Sequence, residues 1–480
     1  MDLSSRLRAI VKSGPAKPTP PALGERDVHA SRRELTYEPD TGRYEASTDL
    51  DQVGALLGGR PADTPFGRCL VVDRRYESDR WHGGIRIGDC EVDDFGSLTI
   101  LDPSLAETVR GQTPDVPLHT GGQTPDVPLR TFRRTIFIDL ETTGLSGGAG
   151  TVAFLVGCGY FDLGAFQVRQ FLLTSFTSER ALLHAVAEFF KDVDLIVTYN
   201  GKTFDVPVME TRWLFHRLQM PLDSVPHFDM LHPARRLWRA RSGALDSEDG
   251  GCRLSTLERT LFNVSRVGDV DGFEIPARFF RFVRSGDPRP LEPVLEHNRL
   301  DLVSLAAVMA RAVELTRGGH AVCRDCSEAL ALGRVYERAA LDDRIVNNRE
   351  HVLSHAETCY RRGAQSRTAE VKAEALYRLA LRHRRERRFS DAAALWREIL
   401  DLTEPKGVQR ITGMRPLRRF AAEALAIHHE HRDRDLDGAR ELALFALQDS
   451  EGRRAEDVRH RLARLDRKIA KKTDAQLLWS

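Results

Sequence analysis

Residues 134–144 read Arg-Thr-Ile-Phe-Ile-Asp-Leu-Glu-Thr-Thr-Gly. Ile136, Phe137, Ile138 and Leu140 are β-branched, aromatic or aliphatic, which predicts a buried strand, and a period of two sends Asp139 and Glu141 to one face. Carboxylates so placed repel each other, and a strand end that carries two of them suits a divalent cation. Alone, Asp-x-Glu is a short motif that solvated edge strands also carry. Two further stretches change its weight: Tyr-Asn-Gly-Lys-Thr-Phe-Asp at 199–205 and His-Asn-Arg-Leu-Asp at 297–301. They add Asp205 and Asp301. The periodicity predicts a helix over about 290–315, where His297 and Asp301, at i and i+4, share a face. Leu195 to Tyr199 is predicted as a buried strand turned by Asn200-Gly201, with Asn200 and Phe204 expected to shape and pack the turn.

Asp139, Glu141, Asp205 and Asp301, with Thr-Thr-Gly behind the first pair and Asn-Gly-x-x-Phe-Asp around the third, resemble the exonuclease motifs of the DnaQ-like (DEDD) superfamily. That superfamily has a ribonuclease-H-like fold. Within it the chain is most similar to the YprB-like bacterial branch, in which such a domain precedes tetratricopeptide-like helices; the likeness covers about 129–315 and, more loosely, the tail. The resemblance implies a metal-dependent 3′–5′ exonuclease acting on nucleic acid, DNA first, with a DNA helicase as partner in repair. It also implies two Mg²⁺ or Mn²⁺ ions, bridged by Asp139, with Glu141 and Asp301 completing one site and Asp205 serving the second mainly through water. Thr142, Thr143 and Leu145 would line the pocket for the terminal nucleotide. His297 stands at the spacing of the family's Tyr form, Tyr-x-x-x-Asp, where its His form has one residue more. Its imidazole makes it a candidate general base. The competing reading is a catalytically weak nuclease-fold scaffold or nucleic-acid-binding adaptor that works through its helical tail.

At 480 residues the chain is expected to hold about three domains. The expected architecture is an α/β ribonuclease-H-like domain with a mixed sheet over 130–316, then an all-α domain of helical hairpins, tetratricopeptide-like, over 320–480. Ahead of these are expected a flexible arm over 1–68, a small β-rich element over 69–110 and a linker over 111–129, where Gly-Gln-Thr-Pro-Asp-Val-Pro-Leu occurs twice. In the tail, Glu-Ala-Leu recurs at 328, 374 and 423, each opening an apolar helical pattern, at spacings well beyond the ~34-residue tetratricopeptide period. Deleting 320–480 is expected to leave a working nuclease domain and to remove a protein-docking module. Net charge is +1, from 71 basic and 70 acidic residues, so a surface for nucleic acid must be local. No apolar run approaches the ~18 residues of a membrane span, and the N-terminus lacks the features of a secretory signal. A cytoplasmic protein with reduced thiols is expected from these features and from seven scattered cysteines.

Smaller signals remain. Leu3, Leu7, Ile10 and Val11 predict a short amphipathic helix, Ser178 a helix N-cap, and Ser255 with Glu258 a capping box. His82, beside Gly83 and Gly84, reads as a turn histidine. Cys323, Cys326, His355 and Cys359 form either a four-ligand zinc site or ordinary helical packing. The basic runs 382–388 and 453–472 either track phosphates or are solvated helix faces.

Overall fold

The computed structural model describes residues 49–92, 94–106, 134–144, 150–223, 225–239, 252–344, 349–403 and 414–477. The helix expected near Leu3, the linker over 111–129 and Leu145 lie outside them. The described chain opens with α1 (Leu50–Leu57), β1 (Arg60–Thr64), β2 (Gly67–Glu77), a small hairpin of β3 (Trp81–His82) and β4 (Ile85–Arg86), and α2 (Phe95–Leu101). Then come β5 (Thr135–Thr142), β6 (Ala153–Asp162) and β7 (Ala165–Leu172), α3 (Glu179–Phe189), β8 (Leu195–Thr198), α4 (Asp205–Phe215) and β9 (His227–Asp229). Helices α5 (Leu231–Trp238), α6 (Leu254–Phe262), α7 (Ile275–Ser285) and α8 (Glu292–Gly318) complete this part.

A seven-stranded sheet runs in the order β1-β2-β7-β6-β5-β8-β9. β5, β6 and β7 form an antiparallel meander, while β8 and β9 run parallel to β5 after helical crossovers. The mixed sheet with flanking helices is as expected. Of the small β-rich element expected over 69–110, β2, β3 and β4 are present, but Leu98–Ile100 lies in α2, and α1 with β1 stands within residues 49–68, where a flexible arm was expected. β3 and β4 form a two-stranded sheet of their own, whereas β2 joins the sheet of the central domain by pairing with β7 from Leu70 to Glu77.

Alternation along β5 decides which way the acids face. Ile136, Ile138 and Leu140 join one buried cluster with Phe154, Trp213 and Phe279. Phe137, between them, joins the other, with Leu302, Leu305 and Val308 of α8. Asp139 and Glu141 continue the Phe137 face, beneath α8, which crosses β5, β6 and β7.

The tail is helical: α9 (Cys326–Leu341), α10 (Arg349–Gly363), α11 (Ala369–Arg385), α12 (Phe389–Thr403), α13 (Arg415–His428), α14 (Leu436–Gln448) and α15 (Gly452–Leu477). Each packs on the next, as hairpins do. Phe389, Ala392 and Trp396 lie on α12, and Ala392 and Trp396 are buried with Leu376 and Leu425; Ala439 and Ala443 are buried against Val458 and Leu465. The first tail helices are not separate from the α/β domain, however. One apolar cluster runs from Phe137 and Val197 of the sheet through α8 to Leu332, Tyr336, Cys359, Tyr360 and Leu379. Glu328, fully buried, reinforces the join: it accepts hydrogen bonds from Trp238 Nε1 at 3.0 Å, Arg311 Nη2 at 2.8 Å and the Arg324 backbone N–H at 2.7 Å. A cut at 320 would therefore expose a core surface, which the recurring Glu-Ala-Leu pattern does not reveal.

Removing one partner from a buried, hydrogen-bonded ion pair strands the other charge and costs about 3–5 kcal/mol. Glu328→Ala is expected to destabilise the whole protein by that order in denaturant titration, with α5, α8 and α9 losing amide protection together. A loss under about 1 kcal/mol would show that the tail does not depend on this contact.

Candidate active site

The charges of Asp205 and Asp301 act on both Asp139 and Glu141, and that of Glu141 acts on Asp139. Burial first, then the charges of Asp301, Glu141 and Asp205, hold the Asp139 carboxyl well above the usual carboxylate range, against a hydrogen bond from Asn298 that lowers it. Glu141 is raised likewise by burial and by Asp301, Asp205 and Asp269. Asp205 opens α4, and burial is the largest influence pushing it up to about 7, opposed by its own backbone N–H and that of Leu140. Asp301 comes from the third turn of α8 and Asp205 from beyond the β8 turn, so three separate stretches meet at the end of β5.

The surroundings hold these acids from behind. Asn298, fully buried, donates from Nδ2 to Asp139 Oδ2 at 2.8 Å and to the Asp139 carbonyl at 3.1 Å. Arg266 donates to Asp301 Oδ1, to both oxygens of Glu258 at 2.7 and 2.8 Å, and to Asp269 Oδ2 at 3.2 Å. His297 sits between two carboxylates, with Nδ1 2.7 Å from Asp269 and Nε2 3.5 Å from Asp301 Oδ2. Asp229, buried at the end of β9, accepts the backbone N–H groups of Asn200 at 2.8 Å, Lys202 at 3.1 Å and Leu231 at 3.0 Å. It thereby fixes the turn that delivers Asp205. Arg266, Asp269 and Asp229 lie outside the motifs by which the acids were found, and Asn298, though inside the His-Asn-Arg-Leu-Asp stretch, was given no role there. Only the burial of Asn298 and Asp229 in the fold reveals their use.

Several local expectations change. Asn200 shapes its turn as expected, at φ +69°. Phe204 does not pack it: the ring is 52 % exposed beside Asp205. Thr142 and Thr143 use their hydroxyls in the turn after β5, Thr142 donating to the Gly144 carbonyl at 2.9 Å and Thr143 accepting the Val152 N–H at 3.0 Å. Ser255 and Glu258 are no capping box, because α6 begins at Leu254 and Glu258 faces the core toward Arg266 and Ser304. Ser178 stands at the N-cap of α3 but donates its hydroxyl to the Ser175 carbonyl at 2.8 Å. His82 flanks the Gly83-Gly84 turn of the β3–β4 hairpin, as expected, and is buried there with Nε2 2.9 Å from Ser304 Oγ. Cys323 and Cys359 are buried thiols pushed up by burial, Cys323 to about 12, and the nearer partner of His355 is His351 at 3.1 Å. In the basic runs, Arg382 pairs with Glu357 and Glu350, while Arg461, Arg464 and Lys468 converge on Glu430.

Among the described residues no group of three or more His, Cys, Asp or Glu side chains is disposed to hold a metal ion as it stands. The donor chemistry of the β5 site nonetheless suits a divalent ion: hard oxygen donors of like charge, partly buried, with Asp205 and Asp301 raising the proton affinity of Asp139 and Glu141. Asp139, Glu141, Asp205 and Asp301 are the residues that would hold it.

A carboxyl whose value is raised by folding destabilises the fold when ionised, so the penalty is full above about 7 and fades as pH falls through 7 toward the ordinary range near 4. Asp205→Asn keeps an oxygen for the Leu140 N–H and removes the charge. Without metal it is expected to be more stable than wild type at pH 8, by on the order of 1–2 kcal/mol after discounting for partial exposure, and to match it near pH 5. Melting temperatures at the two pH values check this; a variant that tracks wild type at both rules out the penalty.

Residues 136–313 match the family model of the RNase H superfamily. The chain is 29% identical to the uncharacterized protein YprB of Bacillus subtilis (strain 168) over 340 residues, which are 70% of this chain and 75% of that protein. Among solved structures, the family B DNA polymerase of the hyperthermophilic archaeon Pyrobaculum calidifontis aligns at 14% identity and a TM-score of 0.30. That alignment covers 46% of this chain and 30% of the polymerase. The sheet order, the four converging acids and the family match together make this a ribonuclease-H-like domain, a nuclease fold, followed by a helical region.

Proposed function

We propose that the chain is a metal-dependent 3′–5′ exonuclease of the DnaQ-like kind that hydrolyses phosphodiester bonds in DNA. The observation that carries the reading is that Asp205 and Asp301 come close enough to Asp139 and Glu141 for their charges to raise both carboxyls, an arrangement that suits a cationic ligand. Asp139, Glu141 and Asp301 would hold one Mg²⁺ or Mn²⁺ and Asp139 with Asp205 a second. Bound there, such ions activate an attacking water and stabilise the leaving oxygen. The chain's own residues supply the rest. His297 presents Nε2 toward the acids while Asp269 holds Nδ1, so the pair orients an imidazole that can take the proton of the attacking water. Arg266 aims the Asp301 carboxylate. The exposed ring of Phe204, next to Asp205, offers a face on which a terminal base can stack. The Thr142–Thr143 turn forms the adjoining wall, and the hairpins of the tail, tetratricopeptide-like in arrangement, serve to engage a protein partner such as a helicase.

The test uses end-labelled DNA and RNA oligonucleotides with Mg²⁺, Mn²⁺ or EDTA. Shortening of DNA from its 3′ end, abolished by EDTA, is expected. Asp139→Ala or Asp301→Ala should reduce the rate at least ~10²-fold, since even groups behind metal ligands contribute 10–100-fold. His297→Ala should lower kcat by about 10²- to 10⁴-fold. His297→Tyr should be less damaging, because a phenol at this spacing can still hydrogen-bond the water. Near wild-type degradation by either Asp variant sinks the assignment, and purified protein inert with both metals would favour the scaffold or adaptor reading.

A further inference from the structure

We infer that Asn298 and Gln170 form a neutral amide relay that positions Asp139 for metal binding; this rests on the metal-dependent reading above. In the register of β5, β6 and β7, Asp139, Gly157 and Gln170 lie side by side across three strands. Asn298 comes down from α8 over the middle of this row. A Cβ on Gly157 would stand 2.1 Å from Asn298 Oδ1, so only glycine leaves room for the amide at that height. Both amides are fully buried.

The hydrogen bonds fix which way each amide turns. Gln170 Nε2 donates to two acceptors, the Leu295 carbonyl at 2.9 Å and Asn298 Oδ1 at 2.7 Å, so its nitrogen must face α8. That leaves Asn298 Nδ2 to face Asp139, where it meets the carbonyl and Oδ2, again both acceptors. A flipped Asn298 would set its oxygen against two oxygens of Asp139 and its NH₂ against that of Gln170. The relay is thus polar in one sense only, donating from Gln170 to Asn298 and from Asn298 to the carboxylate, with the Leu295 carbonyl as the second acceptor that orients Gln170.

Its chemistry suits the role. A lysine or arginine at this place would satisfy Asp139 by neutralising it and would compete with a cation. An amide holds Oδ2 at 2.8 Å without a charge, so Asp139 is oriented while its affinity for a divalent ion is kept. Stability alone does not account for the relay: Gln170 Oε1 is buried with no hydrogen-bond partner among the described residues, an expense that an apolar side chain would avoid.

Two variants test this by different routes. Asn298→Ala deletes the donor to Asp139, and Gln170→Met, of similar volume, removes only the group that orients Asn298. In the full-length protein, Mn²⁺ binding is measured directly by calorimetry, alongside melting temperature without metal and kcat and KM on an oligonucleotide at saturating Mn²⁺. Both variants are expected to weaken Mn²⁺ binding by about 10- to 100-fold, with KM within about twofold of wild type and Gln170→Met melting close to wild type. Mn²⁺ affinity within twofold of wild type in folded Gln170→Met and Asn298→Ala overturns the positioning role while leaving the exonuclease reading intact. Absence of Mn²⁺ binding by the wild-type protein overturns both. Loss of stability with unchanged Mn²⁺ affinity would make the relay a packing feature and likewise overturn the inference.

Discussion

Carboxylates of like charge do not stay together in a partly buried cleft unless the fold forces them to, and that repulsion organises this domain. Asp139 and Glu141 cannot separate, because alternate residues of one strand point the same way and the intervening Leu140 is buried on the other side. Asp205 is fixed by a turn whose backbone N–H groups are taken by Asp229. Asp301 is fixed by Arg266. Each acid is therefore delivered by an element with independent reasons to sit where it does, and the strain appears as raised proton affinity instead of as displaced side chains.

Most of these demands fall on α8. Its 27 residues carry His297, Asn298 and Asp301 near one end and Arg311 further along, where the guanidinium reaches Glu328 of α9. At ~1.5 Å per residue, Asp301 and Arg311 are about 15 Å apart on one rigid rod. The helix that sets the metal-site geometry is thus also the helix on which the tail is seated. The continuous apolar cluster from the sheet to Tyr360 and Leu379 makes the same point in packing terms. A tail built this way transmits displacement to the site more readily than a module on a free linker, because the shared core has no room to absorb it.

The acids were legible in the sequence because each lies in a local pattern: a period of two around Asp139, a turn before Asp205, i and i+4 spacing for His297 and Asp301. What supports them was not legible, for a physical reason. The contacts of Asn298 with Asp139, Arg266 with Asp301 and His297 with Asp269 span 159, 35 and 28 residues, and only tertiary packing brings such pairs together. Asn298 follows His297 directly, yet neighbours on a helix point about 100° apart, so one faces Asp269 and the other the sheet. Glu258 misled for a related reason. Its spacing from Ser255 suits a capping box, but burial against Arg266 and Ser304 outweighs a cap at a helix that starts one residue before Ser255. Likewise the strands near residue 69 were found by composition, while their membership in the central sheet depends on pairing with β7.

The direction of hydrogen bonding shows why the N-terminal hairpin belongs to the site. Ser304 has one hydroxyl proton and gives it to Glu258, a carboxylate that can only accept, so its oxygen must receive a proton from His82 Nε2. Burial, with the charges of Arg266 and Arg80, holds His82 down to about 4, so the ring is neutral at ordinary pH and its single N–H is the one on Nε2. The chain then reads from His82 through Ser304 to Glu258, which grips Arg266 with both oxygens, and Arg266 turns its remaining reach on Asp301. Glu258's charge is balanced within the chain by Arg266, so the guanidinium is anchored from behind and cannot leave with a departing anion. Asp139 is thus held by a neutral amide and Asp301 by an anchored cation. The first sets no positive charge beside Asp139 to compete with an ion, and the second fixes the direction of the Asp301 carboxylate.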